Sequence, residues 1–246
     1  MKRRNVLAGL AALATAGCTK IGKSEAFGGL VDGAEKLHRG AQRLLGGGRP
    51  MAREYSLADI SPTFRGNGNT DIERPEYQAH VAAGFADWRL EVRGLVDEPL
   101  SLTMAQIRAL PQRTQITRHD CVEGWSAIGQ WTGPRLSALL ELAGVQDGAR
   151  FVVFRCADDF SGAPYYESCD LDDATHPQTI VAHQLNGEPL PVKNGAPLRL
   201  RLERQLGYKH AKYLARIEAV ASLDHVHGGR GGYWEDVGDY EWYAGI

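Results

Sequence analysis

Thr117-Arg118-His119-Asp120-Cys121-Val122-Glu123-Gly124-Trp125-Ser126-Ala127-Ile128-Gly129-Gln130-Trp131 is the stretch on which the rest of the chain turns. Gln115 to Arg118 reads as a strand that delivers Cys121 at or just beyond its end. The cysteine sits among Arg118, His119, Asp120, Glu123, Trp125 and Trp131. Cationic neighbours favour a thiolate over a thiol. A thiolate serves as a nucleophile or as a ligand for a soft or high-valent metal. The plain alternative is a small buried residue at a strand-to-loop turn, since free cysteine is among the most buried residue types.

Upstream, Trp88, Leu90 and Val92 alternate with Arg89, Glu91 and Arg93, the pattern of a half-buried strand. A turn follows, and Leu100 to Leu102 is a second strand. Thr103-x-x-Gln106 is a capping box opening a short helix that Pro111 stops. Ser61 to Asn69 is a loop dense in turn formers, with Asn and Arg side chains able to meet a polar ligand.

Downstream of Trp131, Gly133-Pro134 precedes a helix over Leu136 to Ala143, capped by Gly144. Phe151 to Phe154 is a buried strand ending at Cys156, Tyr165 to Ser168 a further one, and Thr179 to His183 another. Asn186-Gly187 signals a hairpin. Leu198, Leu200 and Leu202 alternate with Arg199, Arg201 and Glu203, which puts both arginines on one face, and a last strand lies near Ala215 to Ala221. Many short strands with few helices argue for an α+β or mainly β single domain over residues 51–246.

The 246 residues carry 28 Lys+Arg against 30 Asp+Glu, a formal net charge of −2, so no broad basic face for nucleic acid is implied. Lys2-Arg3-Arg4 followed by the apolar run Val6 to Ala16 reads as an export signal over residues 1–17, too short to span a bilayer. Its paired arginines resemble the twin-arginine signal of cargo exported folded. Two cleavage sites compete: Ala14-Thr15-Ala16 fits ordinary signal peptidase, and Thr15-Ala16-Gly17-Cys18 resembles a lipoprotein box, which would anchor the chain through Cys18. Residues 18–50 read as a linker with an amphipathic helix (Phe27, Leu30, Val31, Ala34, Leu37, Ala41, Leu44, Leu45).

Beyond Cys18 there remain Cys121, Cys156 and Cys169. Three is odd, so at least one thiol stays unpaired in an oxidising compartment, where it needs burial or a task. Cys156 and Cys169 are free to pair if geometry allows. Arg199, Lys209, His210 and Lys212, with Asn194-Gly195 before them, could cradle one phosphate, arginine as a planar fork and lysine as a point charge. The alternative is a solvated charged face near a strand edge. His225-Val226-His227 could ligate zinc but has no third ligand at suitable spacing. The aromatic, acidic tail from Gly231 to Tyr243 packs back onto the domain or rims a substrate site. There is no phosphate loop, no Gly-x-Ser-x-Gly, no C-x-x-C and no C-x-x-C-H.

Arg118 to Trp131 with the following W-T-G-P-R-L-S-A-L-L resembles the molybdopterin-binding domain of the sulfite oxidase superfamily. Asn194-Gly195-Ala196-Pro197-Leu198-Arg199-Leu200 and Gly207 to Lys212 resemble that family's second cofactor segment. The likeness spans roughly residues 60 to 222. It is nearer to the bacterial periplasmic branch that includes the protein-methionine-sulfoxide reductase catalytic subunit. The C-A-G-N ligand sequence and the carboxy-terminal dimerisation domain of vertebrate and plant sulfite oxidases are both missing.

The resemblance implies a molybdenum-molybdopterin cofactor, with Cys121 as the one protein ligand to molybdenum and the catalytic centre. Asn194, Arg199, His210, Ala211 and Lys212 match positions that hold the pterin and its terminal phosphate. Asn67, beside Arg65, looks like an amino-terminal cofactor contact, and Arg118 is placed with the cofactor-binding residues. Cys156 falls where the reductases carry a cofactor-contacting threonine. The activity implied is oxygen-atom transfer, reducing a small-molecule or protein-bound S-oxide or N-oxide. Electrons would come from a membrane haem protein or a soluble cytochrome, in the periplasm. The competing readings are a sulfite dehydrogenase, a cysteine nucleophile paired with His119, and a binding protein on the same fold.

Overall fold

The computed structural model describes residues 50–246, together with residues 33–34, 37–42 and 44. The described residues before Gly48 are helical and belong to a unit of their own. The export signal and Cys18 lie outside the described residues.

From Arg49 onward the chain forms one unit, and its elements begin with a loop running to Glu73. Helix α1 (Pro75–Ala82) starts with proline at its first position, where a missing N–H costs nothing. This helix has no counterpart in the sequence reading. Strands β1 (Arg89–Gly94) and β2 (Leu100–Thr103) follow, then helix α2 (Met104–Ala109). The Thr103 hydroxyl accepts the Gln106 N–H at 3.1 Å, and Gln106 Oε1 accepts the Thr103 N–H at 2.9 Å, so the capping box is complete.

Strand β3 (Gln112–Cys121) turns through Val122-Glu123-Gly124 into β4 (Trp125–Pro134), pairing in register from Gln112↔Pro134 to Cys121↔Trp125. Gly124 takes φ +85° at that turn, which suits a residue without Cβ. Helix α3 (Leu136–Ala143) ends on Gly144 in the left-handed region, as its C-cap signal predicts.

Strands β5 (Phe151–Phe160) and β6 (Ala163–Asp170) form a second long hairpin. The short helix α4 (Leu171–Ala174) leads to β7 (Ile180–Ala182). Strands β8 (Gln184–Leu185) and β9 (Glu188–Pro189) close around Asn186-Gly187, both at positive φ. Strands β10 (Arg199–Arg201) and β11 (Leu214–Val220), then helix α5 (Tyr233–Gly238), complete the chain.

Three sheets result, ordered β2-β1-β11-β5-β6, β3-β4-β8-β9 and β10-β7. The β1–β11 pair is parallel and all other pairings are antiparallel. The main core lies between the five-stranded sheet and the helices, with Leu90, Val92, Ile107, Leu136, Leu139, Val152, Phe154 and Ile217 wholly buried. Burying side chains of that size contributes about 1.5–3 kcal/mol each. A second core holds Phe64, Trp131, Ile180 and Leu185 beneath the four-stranded sheet.

Candidate active site

The period-2 alternation of β3 sorts its last residues to two sides. His119 and Cys121 are buried, whereas Arg118 is exposed. Arg118 donates to Asp120 at 2.9 Å on that outer face. It is therefore not brought to the cysteine, despite lying three residues away. Cys121 ends the strand on the wall of a cavity of about 280 Å³, also lined by Asn67, Asn69, Glu123, Asp158, His210 and Lys212. Phe160, Tyr165, Tyr208, Trp234 and Tyr240 form its aromatic side. Of the sequence-predicted residues, Cys121, Asn67, His210 and Lys212 thus meet in one pocket.

Arg199 and Asn194 lie behind it. Arg199 is fully buried, with its guanidinium 5.5 Å from the Trp131 ring centroid. It donates to the Asn194 carbonyl at 3.2 Å and to Asn67 Oδ1 at 3.3 Å, while its Nε finds no acceptor. No carboxylate stands within ion-pair distance of Arg199 among the described residues. Burial and the neighbouring Arg201 push its pKa down to about 9, so it is still a cation at neutral pH.

Arg201 contrasts with it. Its guanidinium grips Glu203 through two contacts, at 3.0 and 2.5 Å, and donates to His119 Nδ1 at 3.0 Å. The alternation put Arg199 and Arg201 on one face, and a solvated charged face was the alternative to a phosphate cradle for the cationic group that includes Arg199. Both are instead wholly buried, because β10 pairs with β7 in the interior. One arginine is neutralised and the other is left in want of an anion.

The imidazoles have assigned tautomers. An arginine N–H can only donate, so His119 Nδ1 accepts and Nε2 carries the proton. The Gln205 carbonyl can only accept, so His210 Nε2 donates to it at 3.0 Å and Nδ1 keeps a bare lone pair. That Nδ1 and His119 Nε2 are both without a partner. Burial holds both rings well below the usual histidine range, assisted by Arg199 and Arg201, so both are neutral.

Lys212 Nζ donates to the Asn67 carbonyl at 2.5 Å and also to the Asn69 carbonyl. Burial and Arg199 push it down to about 7, against the pull of Asp158. Asp158, accepting from Asn69 at 3.1 Å, is pushed up to about 6 by burial. Gly195 sits at φ +107°, and a Cβ there would strike the Lys212 side chain at 2.7 Å, so glycine admits the lysine itself. Ala211 is fully buried, and its carbonyl accepts from the Leu200 N–H at 2.8 Å.

Three expectations need correcting. The Cys121 thiol lies above its usual range, because burial outweighs the help of the Glu123 backbone N–H and of Arg199, and the Glu123 carboxylate adds to the rise. Lys209 does not join the pocket cations, since it is buried against Glu167 and Glu235. Cys156 does not line the pocket. It faces Leu214 in the β5–β11 ladder, two residues short of the pocket residue Asp158. Cys156 and Cys169 are both free, and the β5–β6 register sets Cys169 opposite Val152. His227 stacks on Tyr166 at 4.2 Å, and no group of three or more metal-ligating His, Cys, Asp or Glu occurs among the described residues.

Sequence reading missed Asp158, Phe160 and Tyr165, while Asn69 and Tyr208 fell inside stretches it had marked without being singled out. It left Trp234 and Tyr240 between packing and rim, whereas in the structure they do both. The aromatic density of the tail was the available signal.

A molybdenum-pterin group with a terminal phosphate fits this donor set. One soft sulfur on the wall, a buried arginine lacking a counter-ion, a lysine beside it and four buried polar atoms without partners (Arg199 Nε, Asn194 Oδ1, His210 Nδ1, Asp158 Oδ1) suit such a group.

Comparison with known proteins points the same way. Residues 77–226 match the family model described as "Oxidoreductase molybdopterin binding domain". The chain is 44% identical over 160 residues to the "Putative protein-methionine-sulfoxide reductase subunit YedZ1" of Azospira oryzae, covering 65% of this chain and 56% of that one. It is 33% identical over 144 residues to the "Protein-methionine-sulfoxide reductase catalytic subunit MsrP" of Campylobacter jejuni, covering 54% and 48%. The chain thus spans about half the length of these curated relatives. Among solved structures, the sulfane dehydrogenase SoxCD of Paracoccus pantotrophus superposes with a TM-score of 0.51 at 22% identity, over 61% of this chain and 45% of that one. At that identity the likeness speaks for the fold alone.

Proposed function

Because the chain belongs to the oxidoreductase molybdopterin-binding domain family, we propose that it is an exported molybdenum-molybdopterin enzyme that reduces S-oxides or N-oxides by oxygen-atom transfer. The observation that carries this reading is the meeting of Cys121 with Asn67, His210 and Lys212 in one pocket, backed by a buried Arg199 with no carboxylate. When bound, the cofactor supplies the two-electron redox couple, and the protein supplies binding, orientation and exclusion of water.

Each residue then has a task. Cys121 would be the single protein ligand to molybdenum. Its thiol, held protonated by burial, would have to give up that proton to serve as the ligand, which would couple metal loading to proton release. Arg199 and Lys212 take the terminal phosphate, the first as a fork and the second as a point charge. Asn194, Asn67, the Ala211 segment and the His210 lone pair hold the polar edge of the pterin. Phe160, Tyr165, Trp234 and Tyr240 shed water from the pocket and lay apolar faces against the substituents of the oxide, an environment that suits a thioether product. Arg118, on the far face of β3, has no part in this.

The electron donor is a haem protein, of the membrane or soluble, met in the periplasm. Sulfite oxidation is the opposing reading. Molybdenum content and a Mo(V) resonance test the cofactor. Turnover of methionine sulfoxide against sulfite with artificial electron carriers tests the direction. A purified, folded chain that neither contains nor takes up molybdenum would overturn the proposal.

A further inference from the structure

Behind the aromatic side of the pocket lies a cluster of ionisable groups that the proposed chemistry leaves unused. Glu167 of β6, Lys209 of the 3-10 turn Gly207–Lys209 and Glu235 of α5 are all but inaccessible to water. Lys209 Nζ lies 2.6 Å from Glu167 Oε2 and also contacts Glu235 Oε1. Two carboxylates and one ammonium, all ionised, would leave an unbalanced negative charge in a dry interior, which low-dielectric surroundings strongly disfavour.

The geometry sharpens the point. Glu235 Oε2 has no hydrogen-bond partner, although it is buried. It converges with Glu167 Oε2 over the Cα of Gly232, where a Cβ would collide with both oxygens. Two ionised carboxylate oxygens are acceptors only and repel each other. A single proton between them turns that repulsion into a hydrogen bond.

We propose that Glu167 and Glu235 share one proton above Lys209, and that this pair is a proton store for the pocket, reached through Tyr165. The Tyr165 hydroxyl lies 3.5 Å from Glu167 Oε1 and donates to the Tyr208 carbonyl at 2.8 Å, and its side chain lines the pocket. Burial and Glu235 push the Glu167 carboxyl well above the usual carboxylate range, with Lys209 opposing. Tyr165, Tyr166 and Cys169 face the pair from β6, Tyr208 from the 3-10 turn and Cys156 from β5. None of these is a cation, so Lys209 carries the positive charge of the cluster.

The use of the store rests on the reductase reading, whereas its existence does not. Reducing an S-oxide breaks one S–O bond and makes two O–H bonds. The sulfoxide, two protons and two electrons from a haem-class donor become the thioether and one water. The proton first moves from Glu167 Oε2 to Oε1, the oxygen nearer Tyr165. Glu167 then passes it to the Tyr165 oxygen as Tyr165 releases its own, otherwise donated to the Tyr208 carbonyl, into the pocket. The carboxylate pair, then held by Lys209 alone, takes a proton back from solvent before the second transfer.

The test is infrared spectroscopy of the full chain at neutral pH. A protonated-carboxyl band that shifts in heavy water is expected, and it should vanish in both Glu167→Gln and Glu235→Gln. An amide there can donate where the shared proton stood, so folding is retained; should one variant fail to fold, the other suffices. Absence of the band, or its survival in a folded variant, overturns the shared proton. Tyr165→Phe should keep the band yet slow its exchange on transfer to heavy water by about tenfold or more, while unchanged exchange overturns the route. In the loaded enzyme, Glu235→Gln and Tyr165→Phe should each lower oxide turnover about 100-fold, the scale of proton transfer by a positioned side chain. Full turnover in both would overturn the store's role. A parent enzyme with the band but no oxide turnover would count against the reductase reading alone.

Discussion

Replacing Arg199 by methionine should stabilise the cofactor-free protein while abolishing its ability to keep the cofactor. Arg199 is fully buried, touches no carboxylate and leaves its Nε unpaired. Its pKa falls from 12.5 to about 9. At roughly 1.4 kcal/mol per unit, that depression sets an upper bound of about 5 kcal/mol on the cost of carrying the charge in the empty fold. The sign follows from a cation whose folded pKa is depressed. The cost is fully present below about 9 and is relieved only as pH rises from there towards the unfolded value.

Methionine forfeits the hydrogen bonds to Asn194 and Asn67 and the contact with the Trp131 ring, which offsets part of that gain. A net stabilisation of about 2 kcal/mol remains, within the range found when buried ionic groups give way to apolar ones. For a body of this size that is a rise of about 4–8 °C in melting temperature. Urea and thermal unfolding of protein stripped of cofactor read the first half, and molybdenum content after native-pathway expression reads the second. An Arg199→Met chain clearly less stable than its parent when empty would refute the idea that this guanidinium awaits an anion.

Other outcomes follow from the same geometry. Cys121→Ala should leave the fold within about 1 kcal/mol, the size of a small side-chain change, and remove molybdenum-dependent turnover, so residual turnover with bound metal would count against Cys121 as the ligand. Sulfate binding to the cofactor-free chain, followed by calorimetry, should weaken as pH rises through about 7, where Lys212 loses its proton; Lys212→Met should flatten that dependence. Arg118→Ala should retain full cofactor content, because its side chain points to solvent beside Asp120. Gly232→Ala should destabilise the protein by about 1–3 kcal/mol, since a Cβ there collides with the oxygens of Glu167 and Glu235; denaturant unfolding followed by tryptophan fluorescence would show it.

Much of the frame was legible in local patterns. The capping box at Thr103, the Gly144 cap, the Asn186-Gly187 hairpin and the strand ending on Cys121 are short-range signals, and each of them appears in the structure. Helix α1 escaped because its apolar residues make no clear stripe. Only Tyr77 in it is buried, anchored by a hydrogen bond from its hydroxyl to the Ala196 carbonyl, a contact 119 residues away in sequence.

For the site, residue type and spacing singled out Cys121 by itself and Arg199, Lys209, His210 and Lys212 as a cationic group, and only the family resemblance joined the two. They could not say which charges would be left unpaired. Arg201 and Lys209 carry the same formal charge as Arg199 and Lys212 and lie within the same segment, yet Glu203, Glu167 and Glu235 claim them. Glu167 reaches Lys209 from a strand far upstream, and Glu235 from a helix 26 residues downstream. The depressed titration of Arg199 and Lys212, the protonated state of Cys121 and the facing of Arg118 away from the pocket likewise depend on burial and strand pairing. Sequence determines which ionisable groups are available. Tertiary packing decides which of them are neutralised, because desolvation and Coulomb attraction act on distances through space and not along the chain.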